Sequence, residues 1–548
     1  MQTETGTRIG LLVDVTGEYL TARLVSEGDA LLSDSASGTN GVKIGQVGSY
    51  LCVKQHNFQT LVMVERSYSV ADRQGHAVHM VRLVPLGELS ALGVFTKGVS
   101  RFPNIGDEIQ LLSHEQLKRI FSAHSDVGYR IGHLASFESV EVHLDASAFF
   151  GRHVAVLGQS GSGKSWTVTS LVQSALRSMP EAHIILLDTH GEYGAKEVDG
   201  ISFSSPFPAD KVRSLNAHEV EFPYWLLTYS ELCDLIIDPA DEHASIQISF
   251  LRSILMKLKR DTNTHLDLGH ITVDSPVYYS MEEFTELVKQ TNSETTNFGK
   301  TMSPLHGKFN QMLVRLYSML NDTRYDFLMK PRMRTSTESL TDMMKDIVGL
   351  GEPNANVTVL DLSAVPFDVV PMVTAQIGRL AYEFNFWNPL CREFPIFLIC
   401  EEAHEYIPRE ENPRFREARR AMERIAKNGR KYGVGLCIVS QRPHDVSETV
   451  LAQCSSFICL RISNPEDQDY MRAMVPEAAR GTFSALTSLS KGEAIALGEA
   501  VPMPVVFKVD IPDPPPNSTD IDYAGKWRDG GRQISVEKLV SNWHRQVR

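Results

Sequence analysis

Residues 158–165 have the composition and spacing of a phosphate-binding loop. They read Gly-Gln-Ser-Gly-Ser-Gly-Lys-Ser, a full match to the G-x-x-x-x-G-K-[ST] pattern. The glycines allow backbone turns that let consecutive N–H groups face the β- and γ-phosphates. Lys164 supplies a point charge to those phosphates, and the Ser165 hydroxyl is placed to bind Mg²⁺. The residues predicted to contact the nucleotide are Gly158, Ser160, Gly161, Ser162, Gly163, Lys164, Ser165 and Trp166.

The sequence on either side of this loop supplies a strand and a helix. Residues 153–157 form a short apolar run that is typical of a buried strand. Apolar residues then recur at helical spacing from Val168 to Met179, until Pro180 ends the pattern. A helix that begins at the loop directs its partial positive charge at the phosphates. A Gly- and Ser-rich surface loop with a chance lysine is the alternative interpretation.

A second motif, which is acidic, distinguishes hydrolysis of a nucleotide from other nucleotide chemistry. Residues 394–404 read Phe-Pro-Ile-Phe-Leu-Ile-Cys-Glu-Glu-Ala-His, an apolar strand that ends in two adjacent carboxylates, the Walker B arrangement. Glu401 is predicted to hold a water on Mg²⁺, and Glu402 is predicted to polarise the attacking water. The alternative is a strand that runs into a solvated acidic turn. Glu401 stands where aspartate is usual, so its carboxylate reaches one methylene further.

Three further polar residues are candidates for the same reaction. Gln441 follows the apolar run 434–439 and could sense the γ-phosphate or orient water; a simple turn residue is the alternative. Arg152 precedes the first strand, and Arg430 precedes the strand that leads to Gln441. An arginine often neutralises charge in phosphoryl transfer, frequently from another subunit. Either arginine could equally be an ordinary surface charge.

The segment 414–431 is rich in arginine and lysine, interrupted by Glu417 and Glu423. Three interpretations fit this pattern: a subunit contact, a solvated helix with many ion pairs, and a face towards DNA. We favour the subunit contact.

Bulk composition limits the class of protein. At 548 residues the chain is expected to form two to four domains, and its 42% apolar and 22% charged residues are typical of a globular protein. We expect no membrane association, because no run approaches the roughly 18 apolar residues of a membrane span. Seven cysteines without close pairing predict reduced thiols and a cytoplasmic location. The net charge of −13 disfavours a protein that coats DNA, although a ring that grips DNA in its channel stays possible.

The fold class predicted from the pattern of elements is α/β, with an N-terminal β-barrel and a helical insertion. Short strand-like runs separated by turn signals fill residues 1–130 and predict a small barrel that ends in a helix near Ser113–Ser122. From residue 131, strands alternate with helices, which predicts a mostly parallel sheet covered by helices. The ATPase core is assigned to residues 131–204 and 351–510, the helical insertion to 205–350, and a linker and arm to 511–548. The arm carries Trp527, Trp543, Arg545 and Arg548, and packing on a neighbour is preferred over a DNA hook.

In this order, the motifs resemble the HerA branch of the HerA/FtsK superfamily of DNA-pumping ATPases. The resemblance rests on the phosphate loop, on Asp-Thr-His-Gly-Glu-Tyr at 188–193 and on Glu-Glu-Ala-His at 401–404. It also includes Gly-Arg-Lys-Tyr-Gly at 429–433 and Ser-Gln-Arg-Pro at 440–443. The sequence departs from the family at Glu401, where aspartate is usual, and at Lys427, where arginine is expected.

This resemblance implies a RecA-like P-loop core, an N-terminal barrel of the HAS type, and ATP with Mg²⁺ as cofactors. It implies a homohexameric ring with double-stranded DNA in the channel, and Arg152 corresponds to a trans-acting arginine of the family. Family members work with a nuclease or another effector that docks on the barrel, in repair or in anti-phage defence. The sequence itself contains no nuclease signature, so any cutting is assigned to a partner.

Two functions from different classes follow. The first is an ATP-hydrolysing translocase or helicase that acts on double-stranded DNA together with a partner nuclease or effector. The second is a nucleotide-stabilised ring that assembles and regulates an effector with little DNA translocation, which the acidic net charge favours. A pump in a conjugation-type apparatus is a third and weaker possibility, since no membrane anchor is found.

Overall fold

The computed structural model describes residues 8–24, 46–55, 58–90, 93–198, 201–216, 220–296, 301–365, 367, 369–475, 477–518, 521–529 and 535–545. The chain divides into two compact units. The first contains Met1–Ala182, Glu402–His404 and Gly435–Ser518, and the second contains His183–Glu401, Glu405–Val434 and Thr519–Arg548. In the described part of the chain, every helix is too short or too polar to span a bilayer.

The first unit begins with a closed antiparallel barrel. Its strands, in their order around the barrel, are Leu20–Leu24, Arg8–Val15, Glu108–Leu111, Tyr50–Lys54, Phe58–Ala71 and Ala77–Ser90. Leu20–Leu24 also pairs with Ala77–Ser90, which closes the ring, and Phe95–Lys97 adds to its outside. Apolar side chains such as Leu12, Val62 and Leu83 fill the interior because alternate residues of each strand point inward. The predicted barrel is confirmed.

A short helix, His114–Phe121, follows the barrel strands as predicted. It begins at Ser113, whose hydroxyl accepts a hydrogen bond from the Gln116 amide while the Gln116 side chain accepts from the Ser113 amide. This capping box satisfies two backbone donors that the first helical turn would otherwise leave without partners.

The sheet of the first unit is partly parallel and partly antiparallel. Val154–Leu157 lies between Val434–Ser440 and Ser456–Cys459, and both pairings are parallel. The sheet continues from Ser456–Cys459 with antiparallel strands, in the order Glu493–Gly498, Val505–Val509, Arg130–Leu134 and Phe137–His143. The expectation of a mostly parallel sheet did not include these antiparallel strands. Short connections, such as residues 499–504, allow only antiparallel neighbours, because a parallel crossover needs about a dozen residues.

Helices flank this sheet in the first unit. They are Ala146–Gly151, Lys164–Ser178, Glu448–Leu451, Pro465–Met474 and Glu477–Phe483. The longest of them, Lys164–Ser178, follows Val154–Leu157 directly after the phosphate loop, so the predicted strand–loop–helix order is confirmed.

The second unit contains a fully parallel sheet. Its strands, in spatial order, are Val212–Asn216, Val357–Asp361, Ile184–Asp188 and Ile396–Cys400. The last three were predicted from continuous apolar runs, and in the structure they are almost completely buried. Val212–Asn216 lies inside the segment 205–350 that we expected to be helical, and that expectation was wrong here. Its residues are all half-buried, and Val-Arg-Ser-Leu-Asn shows no apolar run to mark an edge strand.

Helices make up most of the rest of the second unit. They are Tyr229–Ile236, Ala244–Thr262, Met281–Ser293, Asn310–Leu320, Asp326–Met329, Ser339–Val348, Val370–Phe386, Arg416–Asn428, Tyr523–Asp529 and Val536–Arg545. The helices predicted at 242–259 and 281–291 are confirmed with slightly shifted ends. Arg548 of the predicted arm lies outside the described residues.

Candidate active site

The phosphate loop owes its shape to three glycines with different local requirements. Gly161 and Gly163 have φ angles of +73° and +107°, a region that residues with a Cβ rarely adopt. At Gly158 the constraint is space, since a Cβ there would lie 2.7 Å from Ser162 Oγ and 2.8 Å from Leu460 Cβ. Two of the loop glycines are therefore required by their φ angles, and Gly158 is required by the lack of space for a Cβ.

Hydrogen bonds hold this loop against the strands beside it. The Gly158 amide donates to Ser440 O over 3.2 Å, and the Gln159 amide donates to Arg461 O over 3.0 Å. Within the loop, the buried Ser162 donates from both its amide and its hydroxyl to Gln159 O. The Ser162 hydroxyl thus braces the loop, whereas Ser160 and Gly161 are exposed at its tip.

Lys164 starts the helix and its ammonium is buried, with 8% of the residue exposed. Its Nζ atom lies 3.8 Å from Glu402 Oε1 and 3.5 Å from Gln159 O. The next two residues, Ser165 and Trp166, are half-buried in the first helical turn. The structure thus brings the predicted phosphate-binding lysine to the second predicted acid.

Glu402 is held in an unusual backbone conformation at this point. Its φ angle is +43°, which is uncommon for a residue with a side chain and costs about 1–3 kcal/mol. The residue is 7% exposed, and its Oε2 atom lies 3.4 Å from His404 Nδ1. Among the described residues no hydrogen bond reaches Glu402 Oε2. A buried carboxylate beside a buried ammonium, with an acceptor oxygen still available, fits the predicted handling of a water molecule.

His404 is a residue whose role we did not predict. Its Nδ1 atom lies 3.3 Å from Ser440 Oγ as well as 3.4 Å from Glu402 Oε2. Burial lowers the pKa of His404 below its usual value, and the Glu402 carboxylate opposes that shift only in part. His404 is therefore placed to orient Glu402. Its position in the Glu-Glu-Ala-His run was the available signal.

Glu401, the first predicted acid, is held in the second unit by two tyrosines. Tyr193 Oη donates to Glu401 Oε1 over 2.6 Å, and Tyr406 Oη donates to the Glu401 carbonyl over 2.9 Å. Glu401 is 3% exposed, and both tyrosines are fully buried. Neither tyrosine was assigned a role from the sequence. Tyr193 lies 208 positions from Glu401 in the chain, and Tyr406 lies five positions from it. No local sequence pattern marks either contact.

Asp188 anchors the turn that carries Tyr193. Its two carboxylate oxygens accept hydrogen bonds of 2.9 Å from the Glu192 and Tyr193 amides. Burial raises the pKa of Asp188 to about 6, and these two backbone donors oppose part of that shift. The Asp-Thr-His-Gly-Glu-Tyr segment therefore works here as a turn that fixes the position of a tyrosine.

Gln441 lies at the edge of a cavity of about 300 Å³ in the first unit. The phosphate-loop residues Gln159 and Ser160 line the same cavity, together with Asn464 and Asp467. Gln441 therefore lies near the loop tip, as expected for a residue that senses phosphate, and its role stays a prediction.

The two candidate arginines differ in their surroundings. Arg152 directly follows the helix Ala146–Gly151 and forms an ion pair with Glu499 of its own chain. Arg430 is exposed in the short helix Gly429–Tyr432. Each description concerns one chain, so the role of either arginine in a neighbouring subunit stays a prediction.

The basic segment forms the helix Arg416–Asn428, and its basic side chains make ion pairs within the chain. Arg419 pairs with Glu423 at 2.8 Å, and Arg420 pairs with Glu417 at 2.7 Å. These contacts are the pattern expected for a solvated helix with many ion pairs, one of the three interpretations. They leave the preferred interpretation, a subunit contact, untested.

The residues present fit a nucleoside triphosphate with Mg²⁺. The glycine-shaped loop and the buried ammonium of Lys164 suit phosphates, and the available Oε2 atom of Glu402 suits a water molecule. Mg²⁺ usually binds through substrate phosphates and one or two carboxylates while keeping several waters. The residues predicted to hold it are Ser165, by its hydroxyl, and Glu401, by its carboxylate, and these roles stay a prediction.

Comparisons with known proteins match most of the chain. Residues 129–381 match the family model "Helicase HerA, central domain", and residues 397–519 match "Helicase HerA-like C-terminal". The chain is 30% identical over 449 residues to the DNA double-strand break repair helicase HerA of Saccharolobus solfataricus, which covers 81% of this chain and 80% of that protein. It is 28% identical over 472 residues to the probable helicase MJ1565 of Methanocaldococcus jannaschii, covering 83% and 82%. Among solved structures, VirB4 of Thermoanaerobacter pseudethanolicus shares 16% identity and a TM-score of 0.45, covering 70% of this chain and 96% of that one.

Proposed function

The chain belongs to the HerA helicase family, and from this premise we propose that it is an ATP-driven translocase that acts on double-stranded DNA. It is an ATP-hydrolysing enzyme of the P-loop type. The observation that carries the proposal is the position of Glu402, whose carboxylate lies 3.8 Å from the buried ammonium of Lys164 at the phosphate loop. A loop for phosphates and a carboxylate for water are the two halves of NTP hydrolysis.

The phosphate loop and Lys164 bind the β- and γ-phosphates in this proposal. Loop amides donate to phosphate oxygens, and the Lys164 ammonium neutralises their charge in a buried site where electrostatic attraction is strong. Ser165 and Glu401 would hold Mg²⁺, which would neutralise charge that develops on the phosphate oxygens. Trp166 follows in the first helical turn and is the last residue assigned to nucleotide contact.

Glu402 orients and polarises the attacking water. The carboxylate is held between Lys164 and His404, so it cannot turn freely away from the loop. The strained backbone at Glu402 fixes where the side chain starts. Gln441 assists by orienting the water or by sensing the γ-phosphate.

An arginine from a neighbouring subunit completes the site in the proposal. Arg152 and Arg430 are the two candidates, and such a residue contributes on the order of 10³–10⁵ in rate. Each is replaced by alanine and the variant is mixed with a Glu402→Gln subunit. Recovery of hydrolysis in the mixture supports action in trans, because only a mixed ring joins an intact Glu402 to an intact arginine. No recovery from either mixture would remove both residues from this role.

Assembly and partners extend the proposal further. We infer a homohexameric ring with duplex DNA in its channel and a nuclease or other effector on the N-terminal barrel. Relatives named as double-strand break repair helicases support DNA as the substrate. The net charge of −13 favours the second candidate, a ring that organises an effector with little translocation. A function in anti-phage defence would be compatible with either candidate.

The test is steady-state ATP hydrolysis by the full chain, with and without long duplex DNA, across a series of salt concentrations. A DNA motor is expected to show stimulation that fades as salt rises, because phosphate contacts release counterions. Hydrolysis that is indifferent to DNA would favour the effector-organising ring. The Glu402→Gln variant controls for contaminating ATPases, and an absence of hydrolysis in the native chain would overturn the translocase.

A further inference from the structure

The hydroxyl of Tyr193 forms a short hydrogen bond with the carboxylate of Glu401. Tyr193 Oη donates to Glu401 Oε1 over 2.6 Å, and neither residue exposes more than 3% of its surface. Hydrogen bonds from neutral donors to carboxylates are short and about twice as strong as those between neutral groups.

Several contacts hold Tyr193 itself in place. Its amide donates to Asp188 Oδ2 over 2.9 Å, and its carbonyl accepts a hydrogen bond of 2.8 Å from Ser205 Oγ. The Tyr193 ring stacks on Phe207 with their planes 2° apart. Because the backbone and the ring of Tyr193 are both fixed, its hydroxyl is a hydrogen-bond donor with a fixed position, which can restrain a flexible side chain.

Glu401 is a side chain that benefits from such a fixed point. Glutamate has one more rotatable bond than aspartate, so an unrestrained carboxylate at this position would sample several places. Tyr406 fixes the Glu401 backbone through its carbonyl but leaves the side chain to turn. The Tyr193 hydroxyl restrains the carboxylate through its hydrogen bond to Oε1.

We propose that Tyr193 is a positioning residue for Glu401, which it holds in the orientation that accepts Mg²⁺. The proposal rests on the proposed function, because it presupposes that Glu401 is directed at the metal of an ATPase. Outer residues that orient a metal-binding side chain typically change metal affinity by about 10–100-fold when they are lost. The longer glutamate and the phenol thus act as a matched pair.

The test compares Tyr193→Phe with a matched control in the full chain. Tyr224→Phe is the control, because Tyr224 Oη also makes a buried hydrogen bond of 2.6 Å, to the Tyr279 carbonyl. Two properties are measured for each: the Mg²⁺ concentration that gives half-maximal hydrolysis, and the affinity for a fluorescent ATP analogue with and without Mg²⁺. Thermal unfolding of both variants reports the loss of a buried hydrogen bond.

We expect Tyr193→Phe to need about tenfold more Mg²⁺ and to lose analogue affinity only when Mg²⁺ is present. Tyr224→Phe is expected to lose similar thermal stability but to keep the native Mg²⁺ dependence. A native Mg²⁺ dependence in Tyr193→Phe would overturn the positioning role and leave the proposed ATPase intact. A native chain that neither binds nor hydrolyses ATP would instead overturn the proposed function.

A second substitution tests whether the effect passes through Glu401. Glu401→Asp shortens the side chain by one methylene and withdraws the carboxylate from the Tyr193 hydroxyl. In that background, Tyr193→Phe is expected to change the Mg²⁺ requirement by less than about twofold, because interacting residues are not additive. A full tenfold effect in both backgrounds would contradict the pairing.

Discussion

The phosphate loop, residues 158–165, and the acid pair, Glu401 and Glu402, are held by different kinds of contact. The loop is fixed by its own backbone, through glycine conformations and amide-to-carbonyl bonds. The acid pair is fixed largely by side chains, from Tyr193 and Tyr406 on one residue and from Lys164 and His404 on the other. The loop should therefore be most sensitive to an added Cβ, and the acid pair to the loss or protonation of a polar group.

The largest expected effect is on the acid pair. Glu402→Gln keeps the volume of the side chain but removes the charge that polarises water. We expect the rate of hydrolysis to fall by about 10²–10⁴ while nucleotide affinity stays close to native. Phosphate release and equilibrium nucleotide binding measure the two properties. Glu410→Gln, at an exposed position nearby in the chain, is the control and should hydrolyse ATP normally. Native turnover by Glu402→Gln would remove this residue from the water-orienting role.

The second effect falls on the loop. Gly163→Ala places a Cβ on a residue with a φ angle of +107°, where the strain is on the order of 1–3 kcal/mol. If the loop relaxes to avoid that strain, nucleotide affinity is expected to fall about tenfold or more. Isothermal titration with ATP measures it. Gly151→Ala is the matched control, since a Cβ there meets no atom within 4 Å. Equal affinities of the two variants for ATP would mean that the loop tolerates a Cβ at this position, which would contradict the expected sensitivity of the loop.

A smaller effect concerns Asp188, which anchors the turn that carries Tyr193, and it appears as a dependence of stability on pH. The pKa of Asp188 is raised to about 6 in the folded chain, so the folded state binds its proton more tightly than the unfolded state. The resulting stabilisation is present at low pH and is lost as pH rises through about 6. Relative to Asp188→Asn, the native chain should lose about 1 kcal/mol between pH 5 and pH 7.5. Apparent Tm values of both chains at the two pH values measure this. A Tm difference that does not change with pH would contradict the raised pKa.

The smallest effect is expected outside both regions. Arg420→Ala removes an ion pair with Glu417 from the basic helix, and the Arg420 side chain is 61% exposed. Such a pair contributes about 0.2–1 kcal/mol, so Tm should barely change. Sedimentation of the variant separates two of the three interpretations of this helix. Native assembly supports a solvated face, whereas a loss of assembly would support the subunit contact that the sequence suggested.

The sequence predicted those parts of the fold that depend on local pattern. Ile184–Asp188 and Val357–Asp361 were placed at their observed ends, because a buried parallel strand requires an unbroken apolar run. Val212–Asn216 was missed, because an edge strand that is half-buried carries no such run. The antiparallel strands Arg130–Leu134 and Val505–Val509 were also missed. These two strands pair with each other although they lie far apart in the chain, as Phe507 does with Leu134, so no local turn signal marks that pairing.

The candidate site divides in the same way. Gly161 and Gly163 of the phosphate loop can be recognised from spacing alone, because their positive φ angles are a local property of the loop. The hydrogen bond from Tyr193 to Glu401 joins residues 208 positions apart, and only the folded sheet brings them together. The left-handed backbone of Glu402 was equally hidden, since nothing in the sequence Glu-Glu-Ala-His requires a positive φ angle.

That backbone conformation has a consequence for how the protein can evolve. At a φ angle of +43°, glycine or asparagine would fit position 402 with less strain than glutamate. A laboratory selection for thermal stability alone would therefore favour glycine or asparagine at position 402. The selected variants would be more stable but would not hydrolyse ATP. Glutamate at 402 therefore opposes the preference of its own main chain, so stability and the proposed activity favour different residues at this position.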